Sequence, residues 1–263
     1  MVNTISFPGL GGLSFEINRV AFTLFGKEIY WYALIILTGF LAGLLFVYLT
    51  CEKHGVKKDH VFDIAFWGLI IGLIFARIYY VIFDPDSLDG NILNIFKVWN
   101  GGLAIYGGLI GAVLTAFVYC KIKKIKPLKA FDACVPGLFI GQCIGRWGNF
   151  VNAEVYGNMT RLPWRMSING ENGVHPLFLY ESLWNFIGLL LVIFFRRKKK
   201  EDGQVFFFYT LWYGLGRLFL EGMRQPQYIL WLIPNVLGIS QLVALAAVLV
   251  SAGMLIHLSY KTK

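Results

Sequence analysis

The amino-acid sequence predicts an all-α polytopic membrane protein with a small external cap. Hydrophobic residues make up 57% of the 263 residues and charged residues only 15%, which gives a mean hydropathy of +0.62. A soluble protein of this composition would leave too much apolar surface in water. The apolar stretches are long and continuous, without the alternation over about ten residues that is typical of a membrane β-barrel. Helices are therefore the expected spanning elements.

Seven apolar stretches come close to the roughly 20 residues that a helix needs to cross about 30 Å of hydrocarbon. They predict transmembrane helices at 30–50, 62–83, 103–120, 131–150, 177–195, 204–222 and 237–258. No basic segment precedes the first stretch, so we interpret it as a retained helix and not as a cleaved signal peptide. Residues 1–263 are expected to form a single integral membrane domain.

Basic residues cluster after the first, third, fifth and seventh helices. Fifteen lie on this side: Lys53, Lys57, Lys58, Lys121, Lys123, Lys124, Lys126, Lys129, the RRKKK run at 196–200, Lys261 and Lys263. Six lie on the other: Arg19, Lys27, Lys97, Arg161, Arg165 and Arg224. The positive-inside rule then predicts an external N-terminus and a cytoplasmic C-terminus. The clusters thus indicate topology, and no nucleic-acid partner is expected.

Three arginines remain, and all three fall inside predicted helices. Arg77, Arg146 and Arg217 each lie 13 to 16 residues along a helix that runs outward, which places them in the outer half of the membrane. An arginine at bilayer depth costs about 2.5–3.5 kcal/mol even on mild insertion scales, so each needs a partner or a function. Because a guanidinium binds phosphate through two parallel hydrogen bonds, an anionic phosphate ligand is the natural hypothesis.

Other polar and aromatic motifs are expected at the same outer level. These are YWY at 30–32, GGLAIYGG at 101–108 and HPLFLYES at 175–182. Along the sixth helix, Tyr213, Arg217, Glu221 and Arg224 fall within about 80° of arc. An internal Arg217–Glu221 pair would make that arginine tolerable, but it would leave Arg146 without a stated partner. The sequence therefore predicts a site near the outer leaflet.

Two segments between the helices are expected to have structure of their own. Ile92, Ile95, Phe96 and Trp99 recur at helical spacing and predict a short helix in the membrane interface. The external loop at 151–176 is long enough for a small cap, with a turn at Asn169-Gly170.

Several stretches resemble the bacterial phosphatidylglycerol–prolipoprotein diacylglyceryl transferases. The signature is GRWGNFVNAEVYG at 145–157, accompanied by YWYAL at 30–34, GGLAIYGGLIG at 101–111, HPLFLYES at 175–182 and YGLGRLFLEGMRQP at 213–226. The blocks follow one another in order across nearly the whole chain.

The resemblance implies a reaction and a set of site residues. The family moves the diacylglyceryl group of phosphatidylglycerol onto the lipobox cysteine of a preprolipoprotein signal peptide, forming a thioether and releasing glycerol phosphate, the first step of lipoprotein maturation. Arg146 would hold the lipid headgroup and Arg217 would be a second catalytic arginine. The resemblance further places Tyr32, Asn149, Glu154, Gly157, Tyr213 and Glu221 on motif positions of the active region. Arg77 is an additional substrate-binding candidate, and the enzyme would lie in the bacterial inner membrane with its site toward the outer leaflet.

Tyr106 marks a departure from the better-known family pattern, which has a histidine there as a proposed base for the thiol. Tyrosine has a reference pKa near 10 and is a poor base at neutral pH. Either another group takes the proton, or nearby arginines activate the thiol electrostatically. Tyr106 is kept as a catalytic candidate.

Two other classes of protein fit parts of the sequence. A transporter or channel for an anionic or lipid substrate would also carry intramembrane arginines, although its polar residues should continue to the inner side. A structural membrane protein would leave the three arginines unexplained. The scattered cysteines and histidines predict no metal site, and the proposed chemistry requires no cofactor.

Overall fold

The computed structural model describes residues 2–88, 90–97, 101–171, 173–234 and 236–261. Seven α-helices occur in these ranges: α1 (Trp31–Thr50), α2 (Lys58–Phe83), α3 (Ile105–Ile122), α4 (Pro127–Asn152), α5 (Leu177–Phe195), α6 (Gln204–Glu221) and α7 (Ile239–Lys261). Helix α5 has the predicted bounds. Helices α2 and α4 begin four residues earlier than predicted, because polar residues such as Lys58 and Lys129 belong to their first turns and carry no apolar signal.

Five of the helices are long and apolar enough to cross a membrane: α1 with the turn that follows it, α2, α3, α5 and α7. Helices α4 and α6 are as long but carry more polar residues, among them Arg146 and Arg217. The protein is thus a mostly helical, multi-pass membrane protein. The count of seven spans, the orientation of the termini and the single domain over 1–263 stay predictions.

The all-α prediction was incomplete, because the described residues also contain seven short strands. They are β1 (Val2–Phe7), β2 (Leu13–Asn18), β3 (Val20–Leu24), β4 (Lys27–Tyr30), β5 (Ser167–Ile168), β6 (Trp231–Ile233) and β7 (Leu237–Gly238). Most are partly exposed and lie outside the apolar stretches, so hydropathy gave no signal for them.

The chain divides into two compact units, Met1–Phe46 with Val135–Lys263 and Val47–Cys134. In the first unit, β2, β1 and β5 form a three-stranded antiparallel sheet. Its buried face includes Ile5, Phe7 and Ile168, which pack with Met166, Val174 and Phe178. We call this sheet and the loop at 153–176 the cap. The expected turn is confirmed: Asn169 and Gly170 have φ of 50° and 79°, and Glu171 N–H donates to the Ile168 carbonyl at 3.0 Å.

Close approach between helices in the first unit depends on glycine. A Cβ at Gly43 of α1 would lie 2.5 Å from the carbonyl oxygen of Gly137 in α4, and one at Gly39 would lie 3.1 Å from that of Gly141. Gly39 and Gly43 therefore act as packing residues. Helices α5 and α6 are joined by Trp184 and Trp212, whose rings stack at 4.4 Å. Each indole N–H donates to the other residue's carbonyl at 3.0 Å.

In the second unit, α2 and α3 pack against each other along their length. A Cβ at Gly111 would lie 2.8 Å from the Phe75 Cβ, so this glycine too permits close packing. A short helix is present at the predicted place, as a 3₁₀ helix at Ile92–Phe96. Its location in the membrane interface stays a prediction, and Trp99 lies outside the described residues.

Candidate active site

In the first unit, three arginines and two glutamates form a network of ion pairs in which the two residue types alternate. Glu181 pairs with Arg146 (Oε2–Nη2, 2.5 Å) and with Arg224 (Oε1–Nη2, 3.0 Å). Glu221 pairs with Arg224 (Oε2–Nη1, 3.4 Å) and with Arg217 (Oε2–Nη2, 3.1 Å). The order along this network is Arg146, Glu181, Arg224, Glu221 and Arg217.

Four elements hold the network in place. Arg146 comes from α4 and Glu181 from α5, whereas Arg217 and Glu221 are one turn apart on α6, as their spacing predicted. Arg224 follows the end of α6. Ser240, at the start of α7, donates to the second oxygen of Glu221 at 2.5 Å. Because several helices supply the charges, the site exists only when this unit is assembled.

Burial differs along the network in a way that favours an anionic ligand. The inner members are buried: the side chains of Glu181, Arg224 and Glu221 are 8%, 7% and 1% exposed. The terminal arginines, Arg146 and Arg217, retain 22% and 19% exposure. Three guanidinium groups against two carboxylates leave one positive charge, and the accessible ends of the network are cationic. Such guanidinium edges suit a phosphate group.

Arg224 is the buried centre of this network. It is 7% exposed, and its Nε has no hydrogen-bond partner among the described residues. Burial, followed by the charge of Arg217, lowers the pKa of Arg224; a guanidinium nevertheless stays charged at neutral pH. Arg224 therefore pairs with both glutamates and links the Arg146–Glu181 pair to the Glu221–Arg217 pair.

A second branch runs from Arg146 into the end of α4. Its Nη1 donates to Asn149 Oδ1 at 3.3 Å, and Asn149 Nδ2 donates to Glu154 Oε1 at 3.0 Å. The residues on either side of Glu154 are left-handed although neither is glycine: φ is 52° at Ala153 and 54° at Val155. A β-branched residue in this region is strained, and such strain is found at functional sites. Strained backbone thus fixes the position of Glu154.

Gly157 lies where three segments meet. Its N–H donates to the His175 carbonyl at 3.0 Å, and it forms an isolated antiparallel bridge with Arg224. A Cβ here would lie 2.6 Å from the His175 Cβ and 2.9 Å from the Met223 carbonyl oxygen. Only glycine therefore allows the cap to approach the segment that carries Arg224.

Two aromatic candidates also lie in the first unit. The Tyr32 ring of α1 lies against Gly148 of α4, where a Cβ would be 2.8 Å from the ring. Tyr213 stacks on Tyr209 at 6.1 Å and lines a cleft together with Arg217 and Glu181. The first unit thus holds eight of the predicted site residues. Three belong to the network, namely Arg146, Arg217 and Glu221. The other five are Tyr32, Asn149, Glu154, Gly157 and Tyr213.

Arg77 and Tyr106 lie in the second unit. Arg77 is 5% exposed and donates to the carbonyls of Asn94, Ile95, Gly101 and Gly102 at 2.9–3.2 Å. These contacts stabilise the segment between α2 and α3. Tyr106 is in the first turn of α3. The expected meeting of these two residues with Arg146 and Arg217 stays a prediction.

Glu181 and Arg224 are members of the network that the sequence did not assign to the site. Arg224 was noted in the stripe of the sixth helix, and Glu181 lies within the motif HPLFLYES. The view that Arg146 lacks a partner is corrected, since Glu181 of α5 is its counter-ion. Within the described ranges, no group of three or more His, Cys, Asp or Glu residues is arranged to hold a metal ion.

Comparison with known proteins now decides the family. Residues 19–257 match the family described as "Prolipoprotein diacylglyceryl transferase". The chain belongs to this family. A relative from Finegoldia magna, named phosphatidylglycerol--prolipoprotein diacylglyceryl transferase, is 42% identical over 245 residues, which cover 93% of this chain and 96% of the relative. Relatives of the same name from Clostridioides difficile (42% over 247 residues, 94% and 97% covered) and Lysinibacillus sphaericus (38% over 265 residues, 95% and 96% covered) agree. The resemblance noted in the sequence is confirmed.

The region of the chain that matches the family contains the whole network. The matched region includes every residue of the network, from Arg146 to Arg224. It also includes Tyr32 at one end of the chain and Ser240 at the other. The family is one of transferases, which excludes the transporter and structural alternatives.

Proposed function

We propose that this protein transfers the diacylglyceryl group of phosphatidylglycerol to the thiol of a prolipoprotein cysteine. The finer expectation is a lipobox cysteine in a preprolipoprotein signal peptide, modified at the outer leaflet of the bacterial inner membrane. The observation that carries the proposal is the network itself, in which two partly exposed arginines end a buried chain of ion pairs. This arrangement suits a membrane enzyme that must hold a lipid phosphate.

The chemistry follows from the charge changes. Sulfur forms a bond to the glyceryl carbon while the bond from that carbon to the phosphate oxygen breaks. The electron pair leaves with the phosphate, which changes from a diester with one negative charge to a monoester. Arginines already directed at this phosphate stabilise the additional charge as it develops. The proton released by the thiol balances the second charge of glycerol phosphate.

The individual residues are given roles that agree with their contacts. Arg146 and Arg217 bind the phosphate, and Glu181 and Glu221 fix the two guanidinium groups in orientation. Asn149 and Glu154 hold Arg146 from the other side. Gly157, Tyr32 and Tyr213 shape the surroundings of the bound headgroup. For Tyr106 and Arg77 we propose substrate positioning.

The test of the activity uses purified protein in vesicles that contain phosphatidylglycerol and a synthetic lipobox peptide. We expect the peptide to gain the mass of one diacylglyceryl unit and glycerol phosphate to appear in equal amount. A peptide with serine in place of cysteine is the matched substrate control and should stay unmodified. An unmodified cysteine peptide, with the protein folded, would contradict the proposal.

Topology is tested separately with single cysteines at Lys199 and Asn169, labelled by a membrane-impermeant maleimide. The charge distribution predicts that position 169 reacts from outside and position 199 from inside. Labelling of both from the same side would contradict the orientation and leave the activity test unaffected.

A further inference from the structure

Strands β3 and β4 form a hairpin that directly precedes α1, and we call residues 20–30 the α1 hairpin. Leu24 pairs with Lys27, so Phe25 and Gly26 form a two-residue turn, with φ of 50° and 78°. Such turns need positive φ at both positions and favour Asn-Gly or Asp-Gly. A phenylalanine in the left-handed region is strained, and the Phe25 side chain is 97% exposed. Neither the turn nor packing within the described residues accounts for an aromatic ring here.

The α1 hairpin has one apolar and one polar face. Successive side chains of a strand point to opposite sides of a sheet. Phe22 is paired with Ile29, so both share a face with Leu24, and Phe22 and Leu24 are 48% and 50% exposed. Thr23 and Glu28 are paired on the opposite face and are exposed as well. The hairpin therefore leaves a continuous apolar surface that extends to the ring of its turn.

A two-stranded hairpin is at best marginally stable in water unless its apolar face packs against something else. Among the described strands, β3 and β4 pair with each other and with no third strand. The base of the hairpin is fixed, because the Trp31 N–H donates to the Arg19 carbonyl at 3.0 Å. The apolar face and the turn therefore need a partner from outside the described part of the chain.

The position of the α1 hairpin identifies that partner. Helix α1 with the turn that follows it is a candidate membrane span, and Tyr30, Trp31 and Tyr32 at its start are residue types enriched at membrane interfaces. Phe25 precedes Trp31 by six residues, which reach at most about 20–22 Å when extended. Lys27 lies on the apolar face beside the turn, where its ammonium group can contact a lipid phosphate while its stem covers apolar surface.

We propose that the α1 hairpin is an interfacial anchor, which lies along the lipid surface on the side of the membrane where α1 begins. The Phe25 ring and the apolar face enter the boundary between headgroups and acyl chains, and the polar face stays in water. Lipid contact stabilises a hairpin that would be marginal alone and offsets the strain of its turn. The anchor fixes the depth of the first turn of α1, which carries Tyr32. This inference does not depend on the proposed function.

The first experiment places the photoreactive analogue p-benzoylphenylalanine at Phe25 or, as the matched control, at Thr23 in the full chain. The protein is purified in phosphatidylcholine nanodiscs, which lack the proposed donor lipid, and is irradiated. We expect lipid adducts at position 25 and several-fold fewer at position 23, whose side chain points to the polar face. Equal lipid adducts at the two positions, or none at position 25, would overturn the inference. An adduct between two copies of the chain would also overturn it, in favour of a self-association surface.

The second experiment uses Phe25→Asn, for which a lipid anchor and a simple turn predict opposite signs. Hydrogen exchange of the hairpin amides is measured in the same nanodiscs. If the ring contacts lipid, its loss should speed exchange by roughly tenfold. If the turn has no partner, asparagine should slow exchange, because it suits a left-handed turn. Lys124→Asn is the matched control: Lys124 has φ of 55° in an exposed turn, and exchange around it should be slowed or unchanged.

Slower or unchanged exchange of the hairpin in Phe25→Asn would refute the anchor. Faster exchange confined to residues 20–30 would support it. If exchange rises throughout the helices, the variant has lost its fold, and the lipid adducts at position 25 decide the question. Failure of the parent protein to modify a lipobox peptide would contradict the proposed function and leave the anchor intact.

Discussion

Replacing Glu181 by glutamine tests the central feature of the site, the carboxylate that joins Arg146 to Arg224. Glutamine has the same shape and keeps one oxygen acceptor, but it removes the charge that compensates two arginines. Breaking a buried ion pair by removal of one partner costs about 3–5 kcal/mol. The lower end applies here, because Arg146 is 22% exposed and Arg224 keeps Glu221 at 3.4 Å. We therefore expect Glu181→Gln to lower the free energy of unfolding by about 3 kcal/mol.

The assay is thermal unfolding of purified protein in detergent, followed by intrinsic tryptophan fluorescence. For a chain of this size, about 1 kcal/mol shifts the midpoint by roughly 2–4 °C, so a loss of roughly 6–12 °C is expected. Glu52→Gln is the matched control: the same chemical change in a pair with Lys58 at 3.5 Å, where the Glu52 side chain is 61% exposed. Such exposed pairs contribute about 1 kcal/mol at most.

Activity should respond to Glu181→Gln as well, because Arg146 would lose the partner that orients it. A misplacement of about 1 Å in a catalytic group can cost about 100-fold in rate, and we expect a loss of that order below the melting temperature. The reasoning is refuted if Glu181→Gln unfolds no earlier than Glu52→Gln and transfers at the parent rate. Glu181 would then be a bystander and not the centre of the site.

Three further predictions concern single residues. Arg146→Lys keeps the charge but should lower the transfer rate by about 10²–10³-fold, because an ammonium cannot bind phosphate through a planar pair of donors; parent-like transfer by the folded variant would rule out the phosphate role. Val155→Gly should raise stability by about 1 kcal/mol through relief of the left-handed strain, yet slow transfer by loosening Glu154. Lys124→Gly, at φ of 55°, is its control and should leave the rate unchanged; a Val155→Gly protein with the parent rate would contradict the link between strain and Glu154. Tyr106→Phe should retain measurable transfer with a pH profile set by the substrate thiol, since a phenol is badly matched to neutral pH as a base; complete loss over the whole pH range, with both substrates still bound, would make Tyr106 a chemical participant.

The helices could be predicted from the sequence because each is a long apolar stretch bounded by charges. The strands could not, since β5 has two residues and its partner β1 is far away in the chain. At the site, too, contacts between residues close in sequence could be predicted, and contacts between distant residues could not. Arg217 and Glu221 are four residues apart on one helix, and their pair was predicted from spacing.

The pairing of Arg146 with Glu181 depends on how α4 packs against α5. Spacing along one helix carries no information about packing between helices. Arg146 was therefore predicted as a site residue, but its counter-ion Glu181 was not. Arg224 was noted in the stripe of the sixth helix but was not assigned to the site, for a related reason. It follows the end of α6, and its position depends on the bridge to Gly157, which helical periodicity does not describe.

The sheet of the cap cannot be completed until strand β5 has been synthesised. Strand β1 pairs along one edge with β2, which is made directly after it, and along the other with β5. The hydrogen bond between Thr4 and Asn169 joins residues 165 positions apart. At roughly 5–20 residues per second, the ribosome needs about 8–33 s to cover that separation. Throughout that interval the growing chain presents an open strand edge, a group that readily pairs with other chains. A pause in translation between α1 and β5 would prolong this exposure, so the nascent chain is most vulnerable to misassociation long before its last helix is made.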